Sequence, residues 1–198
     1  MRGDTMNTQL LLHACCAPCS LEPVRLLREE GFEPVICWTN ANIQPALERQ
    51  RRFEELSAWC EHEQLELIGA PEDEAAWEAY VGRIGSKHRE TRCRVCYHLR
   101  LEEACRVAAE RGFSYVGTTL AVSPYQLFDI CNEELERLTA RYHLKPLIRD
   151  WRAWYAEATI TSRKLGMYRQ HYCGCRFSAA EAVLERIQGR AQRAQNTQ

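Results

Sequence analysis

The chain alternates short apolar runs with longer stretches of helical periodicity. Residues 8–14, TQLLLHA, are consecutive apolar positions between polar ones, the pattern of a strand buried on both faces. Pro18 suits a first helical turn, and LEPVRLLREEG follows as a helix closed by Gly31. EPVICWTN reads as a second strand and LELIGA as a third. Between them, PALERQRRFEELSAWCEHEQ is a helix whose Leu47, Phe53, Leu56 and Cys60 approximate one face. Residues 74–112 read as one long helix, basic in its centre. FSYVGTTLAVSP predicts a strand ended by Ser-Pro, YQLFDICNEELERLTARYH a helix, and LKPLIRDW a strand. WYAEATITSRKLGMYRQ predicts a helix with a soft spot at Gly166. A last helix, FSAAEAVLERIQGRAQRA, has Ser178 as N-cap and Glu181 three residues later, a capping box. Strands alternating with helices predict βαβ units and a parallel sheet, an α/β fold.

At 198 residues the chain has the length of one domain. The expected organisation is a flexible N-terminus over 1–7, a single α/β domain over 8–187 and a flexible tail over 188–198. The net charge of −1 excludes an all-over basic coat for nucleic acid and leaves a local basic patch open. No apolar run reaches the roughly 18 residues of a membrane span. The segment MRGDTMNTQ lacks the apolar core of a signal peptide, so a cytoplasmic location is expected, with Met6 a second candidate start.

Eleven cysteines change this picture. In a reducing compartment such a count points to metal or redox chemistry rather than structural disulfides. Cys37, Cys60, Cys105 and Cys131 stand alone and read as small buried hydrophobes. The other seven fall into three groups, Cys15/Cys16/Cys19, Cys93/Cys96 and Cys173/Cys175. The first sits where a strand hands over to a helix, the place where open parallel sheets bind ligands. Both Cys15 and Cys16 can meet one centre only if the chain turns there, and Cys19 is expected in the first turn of the helix, where the dipole favours thiolate. Cys93 and Cys96, at i and i+3, share a helix face. Gly174 lets Cys173 and Cys175 point one way, either as ligands or as a reversible C-x-C disulfide. A four-iron cluster or a closed zinc site takes four thiolates. Cys15, Cys16, Cys93 and Cys96 would complete one, leaving Cys19, Cys173 and Cys175 for redox chemistry or a second metal.

LLHACCAPCS, TNANIQP, RCRVCYHLRLEE, TTLAVSPYQ and LGMYRQHYCGCRFS, in that order, resemble the motifs of the QueH family of epoxyqueuosine reductases. The resemblance runs from about residue 9 to residue 185. It implies a Rossmann-like domain of the HUP type, a [4Fe–4S] cluster and the last step of queuosine synthesis in tRNA. There the epoxide of the modified wobble nucleoside is reduced to an alkene. The resemblance assigns Cys15, Cys16, Cys93 and Cys96 to the cluster. It assigns Cys173 and Cys175 to a C-G-C pair, redox-active or metal-binding, and Cys19 to a metal-coordinating position. A second, mononuclear iron is thus a further option. Asn40, Asn42, Thr118, Thr119, Ser123, Tyr125, Tyr168 and Arg169 fall in motifs expected to touch substrate. One departure is Ala41, where the family pattern has proline after the asparagine.

Epoxide removal consumes two electrons and two protons. No G-x-G-x-x-G follows the first strand, so tightly bound NAD or flavin is not expected and an external electron donor is. Tyr125, Tyr172, His171 and Asp150 are candidate proton donors. Arg83, Lys87, His88, Arg89, Arg92, Arg94 and Arg100 are a candidate phosphate-binding patch for tRNA, with no DNA or membrane partner expected. Trp38, Trp151 and Trp154 are candidates for stacking a splayed base, whereas His13 reads as a core histidine. Two rivals remain. A PP-loop-like tRNA sulfurtransferase would carry a glycine-rich phosphate loop where this chain has HACCAPCS. A zinc-stabilised RNA-binding module would need no surplus cysteines.

Overall fold

The computed structural model describes residues 9–70 and 72–195; the expected N-terminal segment 1–7 and positions 196–198 lie outside them. Five strands form one parallel sheet: β1 Gln9–His13, β2 Glu33–Trp38, β3 Leu67–Gly69, β4 Tyr115–Thr118 and β5 Lys145–Leu147. Their order across the sheet is β3-β2-β1-β4-β5, all parallel. The order reverses at β1, which pairs with β2 on one side and β4 on the other. The crevice beyond the carboxyl ends of β1 and β4 is therefore the switch point at which such sheets bind ligands.

Alternation along β1 builds the two core layers. Leu10 and Leu12 enter one layer with Val24 and Leu27 of α1 (Leu21–Glu29) and with Leu56, Trp59 and Cys60 of α2 (Ala46–His62). Leu11 enters the other with Leu101, Ala104 and Cys105 of α4 (Arg89–Arg111) and with Leu135 and Leu138 of α5 (Phe128–Arg141). Full burial of each leucine contributes roughly 1.5–3 kcal/mol. The remaining helices are α3 Glu74–Tyr80, α6 Tyr155–Lys164 and α7 Arg176–Gln195.

Several expectations are corrected. The helix expected over 74–112 breaks into α3, a 3-10 turn at Gly82–Ile84 and α4, because Gly85 takes φ +75°, a left-handed conformation no helix accommodates. On α2, Leu47 and Phe53 are exposed, and the buried stripe is Arg52, Leu56, Trp59 and Cys60. Arg52 displaces an apolar residue from that stripe because its guanidinium finds partners inside. β4 ends at Thr118, whose hydroxyl accepts the Leu120 N–H and so caps a 3-10 turn, Thr119–Val122. α6 stops at Lys164, ahead of Gly166. α7 begins at Arg176 and not at Ser178, and it runs to Gln195.

α4 and α5 are joined by a charged seam. Glu134, with a side chain 6% exposed, accepts from Arg94 at 3.2 Å and Arg137 at 2.6 Å. Burial alone would raise its pKa, but Arg137 and Arg94 outweigh that and lower it. The unfolded chain, with a glutamate pKa of about 4.3, then takes up this proton before the native state does. The stability is present above that pH and is lost as pH falls through the native pKa. Urea unfolding of Glu134→Gln against the unsubstituted chain should show a gap at neutral pH that narrows below about pH 4.3. A gap constant with pH would remove the seam from the account.

Candidate metal centre

The chain leaves β1 at His13 and turns at once. The Ser20 N–H donates to the Ala17 carbonyl at 2.8 Å, and the Ser20 hydroxyl donates to the Cys16 carbonyl at 3.0 Å. This turn brings the sulfurs of Cys15, Cys16 and Cys19 within 4.8 Å of one another, the one such group of potential metal ligands among the described residues. Cys19 lies in the turn before α1, not in its first helical turn as expected, because the helix starts only at Leu21. The three sulfurs share hydrogen bonds. Those from Cys16 and Cys19 hold the Cys15 thiol well below its ordinary value, with Arg100 and Arg52 adding to the effect. Burial pushes Cys16 up to about 12.

Cys93 and Cys96 stand one turn apart on α4, as the spacing predicted. They line a small cavity together with Cys173 and Cys175. The Trp77 indole N–H points at the Cys96 sulfur, 3.4 Å away. Burial raises Cys93 to about 11 and Cys96 to about 12. Cys173 links the two halves: it couples electrostatically to Cys175 and Cys15 and also lines the larger cavity beside Cys15 and Cys19. Six of the seven clustered cysteines therefore line two cavities that share Cys173, and Cys16 stands with Cys15 and Cys19 beside them. Cys15/Cys16 and Cys93/Cys96 do not converge as tightly as the first trio does, and a multi-iron cluster spreads its thiolates more widely than a single ion. The lone Cys37, Cys60, Cys105 and Cys131 are buried, as expected, and burial pushes each to about 12.

The C-G-C loop is held on several sides. Arg52 donates to the Cys173 carbonyl at 2.8 Å, to the Tyr172 carbonyl at 3.2 Å and to Glu48 at 2.7 Å. Ser178 is no N-cap: its hydroxyl accepts the Gly174 N–H at 3.2 Å and donates to the Cys175 carbonyl at 2.8 Å. Cys175 itself precedes α7, and its sulfur receives the Ser178 N–H at 3.5 Å. The helix-terminus position expected for Cys19 thus belongs to Cys175. Glu181 completes no capping box and instead accepts from Arg92 at 2.5 Å. Replacing Arg52 by methionine strands two carbonyls. Chemical denaturation should show a loss of about 1–3 kcal/mol, and turnover should slow several-fold. Unchanged stability would mean the clasp holds nothing.

The larger cavity, about 470 Å³, opens at the switch point. Of the residues expected to touch substrate, Thr119, Ser123, Tyr125 and Arg169 line it. Asn42 lines the smaller cavity, and Asn40, Thr118 and Tyr168 line neither. Asn40 is buried between the Ala14 carbonyl and Arg100, Thr118 bonds His13 at 2.9 Å, and the Tyr168 hydroxyl donates to Glu48 at 2.6 Å. Tyr125, His171 and Tyr172 reach the cavity. Asp150 does not, and it is paired with Arg152. His13 is buried, and burial followed by Arg100 drives it down to about 3, so it is neutral.

The basic patch shrinks. Arg92 and Arg100 are buried, and Arg94 is paired with Glu133 and Glu134, leaving Arg83, Lys87, His88 and Arg89 on the surface. Trp38 and Trp151 are core residues, so of the three tryptophans only Trp154 is exposed. Sequence reasoning missed Gln126 and Gln170. The Gln170 amide donates to the Cys16 sulfur at 2.8 Å, and Gln126 accepts from Tyr97 at 2.8 Å and from the Cys173 thiol at 3.7 Å. Both stand in the motifs quoted above, but a neutral amide carries no signal of metal chemistry.

Do these residues fit a metal group? Among the described residues, buried polar side-chain atoms without a partner are His13 Nε2, both amide atoms of Asn42, Arg92 Nε, Arg100 Nε and Nη1, Thr119 Oγ1 and Gln170 Oε1. Every one belongs to a residue beside the clustered cysteines. Buried polar groups are normally satisfied. So many orphans around seven thiols fit a centre completed by an inorganic group.

A parallel-sheet protein with a cysteine cluster that could hold a metal at its switch point is the class that fold and site define. The family profile described as epoxyqueuosine reductase QueH matches residues 10–181. The epoxyqueuosine reductase QueH of Dehalococcoides mccartyi is 32% identical over 176 residues, spanning 89% of this chain and 95% of the relative. That of Acinetobacter baylyi is 32% identical, spanning 92% and 86%, and that of Thermotoga maritima 31%, spanning 87% and 91%. This chain belongs to the QueH family. Among solved structures, the U34-tRNA thiolase NcsA from Methanococcus maripaludis with its [4Fe-4S] cluster superposes with a TM-score of 0.55 at 14% identity. The match covers 90% of this chain and 65% of the thiolase. A predicted subunit of tRNA methyltransferase from Methanocaldococcus jannaschii gives 0.52 at 12%, covering 82% and 93%. At such identities the likeness is one of fold, and it agrees with the Rossmann-like architecture expected. Among the described residues, no helix is long and apolar enough to cross a membrane.

Proposed function

We propose that this chain reduces epoxyqueuosine to queuosine at the wobble position of tRNA, in the cytoplasm. Both epoxide C–O bonds break, a C=C bond forms between the two ring carbons, and the oxygen leaves as water. The balance takes two electrons from an external donor and two protons. A [4Fe–4S] cluster held by Cys15, Cys16, Cys93 and Cys96 would supply electrons singly and a Lewis-acidic iron for the oxygen. Cys19, Cys173 and Cys175 remain for a second iron or, in the last two, a redox pair.

The chain's own side chains do the rest. Tyr125 and Tyr155 stand edge to face, with ring centroids 6.3 Å apart, at the cavity wall and offer a surface on which a splayed base can stack. Arg169 and Arg89, also on the wall, are the cations that would meet phosphates there. Of the candidate proton donors, Tyr125 and His171 line the cavity together with Tyr172, whose hydroxyl donates to the Gln44 carbonyl at 2.5 Å. Binding should weaken with salt, with a log–log slope of about −0.7 for each single-strand phosphate neutralised.

The observation that carries this reading is the ring of orphaned polar atoms around seven clustered cysteines in a chain of this family. The loop after β1 has no glycine with which to cradle a phosphate, which argues against the sulfurtransferase. The test is anaerobic purification followed by absorbance and electron paramagnetic resonance spectra with iron, sulfide and zinc content. Broad absorbance near about 400 nm with about four irons and four sulfides is expected. A colourless protein with stoichiometric zinc and no sulfide would overturn it in favour of the RNA-binding module.

A further inference from the structure

Arg100 stands one turn beyond Cys96 and two turns beyond Cys93, on the same face of α4. It is 2% exposed. Its Nη2 donates to Asn40 Oδ1 at 2.6 Å, while Nε and Nη1 have no acceptor. Glu72 is the carboxylate that feels this cation, but Glu72 is engaged by the Asn40 N–H and by Arg49. The groups that couple to the guanidinium most strongly are Cys96, Cys15 and Cys173, one from each cysteine segment.

A buried cation without a counter-ion costs several kcal/mol. Arginine cannot escape the cost by losing its proton. Its side chain also has a rigid fork of donors, so the N–H directions of the unpartnered Nε and Nη1 are fixed once Asn40 holds Nη2. A fold that keeps such a group at the meeting point of three thiol segments requires negative charge there.

We propose that Arg100 is the internal counter-cation of the metal centre, with its free N–H groups left for the inorganic group and its charge offsetting the one added when the centre is reduced. The inference rests on the iron–sulfur reading above. One-electron reduction by the external donor adds one negative charge, and a fixed cation balances it without proton uptake. Stabilising the reduced form in this way raises the reduction potential, the effect that hydrogen bonds to sulfur have on such clusters. Arg100 is a positioning residue: it acts through the centre and does not touch substrate.

The experiment compares the full-length chain with Arg100→Met and Arg100→Lys, prepared anaerobically, by redox titration followed with electron paramagnetic resonance. At a fixed solution potential Arg100→Met should show at least a tenfold lower ratio of reduced to oxidised centre, about 59 mV for a one-electron couple. Arg100→Lys, which keeps the charge but not the fork, should fall between. Thermal unfolding supplies a second reading. Without metal, Arg100→Met should melt at or above the unsubstituted chain, because an unpaired charge has gone. With metal it should melt below it. Asn40 loses the same partner in both forms, so that loss cancels.

Equal potentials at equal iron and sulfide content would overturn the proposal. So would Arg100→Met destabilising the metal-free form as much as the loaded one. If Arg100→Met does not fold, Arg100→Lys decides: an unchanged potential overturns the proposal and a lowered one supports it. Absence of iron and sulfide from the unsubstituted chain would instead overturn the cluster reading on which the proposal stands.

Discussion

Cys15→Ser should give a folded protein that retains little iron and reduces almost no epoxide. Cys15 belongs to the turn after β1 in which three sulfurs lie within 4.8 Å. Its thiol is held lowest of the three by hydrogen bonds from Cys16 and Cys19, then by Arg100 and Arg52, so it is the sulfur best prepared to bind metal as thiolate. Serine is nearly isosteric, but its oxygen is a harder ligand and does not ionise near neutral pH. Changes in the outer shell of a metal site alone cost about 10–100-fold, so loss of a ligand should cost roughly 100-fold or more in turnover. Iron and sulfide should fall together while far-ultraviolet circular dichroism stays unchanged. Retention of full iron with full activity would remove Cys15 from the centre.

Gly174→Ala should fold and still lose activity by at least roughly tenfold. Gly174 has φ +156°, and an added Cβ would meet Asn42 Nδ2 at 2.7 Å and Ile43 Cγ1 at 3.0 Å. Asn42 and Ile43 are both fully buried, so neither gives way easily. The backbone must move instead, carrying Cys173 and Cys175 out of the crevice they share with Cys93 and Cys96. Strain of this kind costs about 1–3 kcal/mol, which chemical denaturation would read as the stability loss. Unimpaired turnover would mean that the placement of the C-G-C pair does not matter to the chemistry.

The sheet was legible because its physics is local. QLLLH is apolar without interruption, and a strand buried on both faces needs no more than that. The candidate metal site was legible as a cluster because thiols gather where β1 ends and because glycine stands between Cys173 and Cys175. What the sequence hid depends on partners far along the chain. Arg92 and Arg100 read as surface cations, yet one is buried against Glu181, 89 residues away, and the other against Asn40, 60 residues away. Glu181 and Ser178 matched a capping box by spacing, but tertiary bonds to Arg92 and Gly174 claimed both side chains. Leu47 and Phe53 matched a helical face, but the buried face was set by what Arg52 grips. Gln126 and Gln170 were silent because an amide declares its role only through the sulfur it touches.

The most direct test is a reaction with one substrate. Anaerobically purified protein, reduced chemically by a one-electron donor, is mixed with tRNA bearing epoxyqueuosine, and the digested nucleosides are weighed by mass spectrometry. The account predicts a product lighter by one oxygen that co-elutes with queuosine and is lost in Cys15→Ser. An unchanged epoxide with iron- and sulfide-replete protein, in the presence of a competent donor, would contradict it.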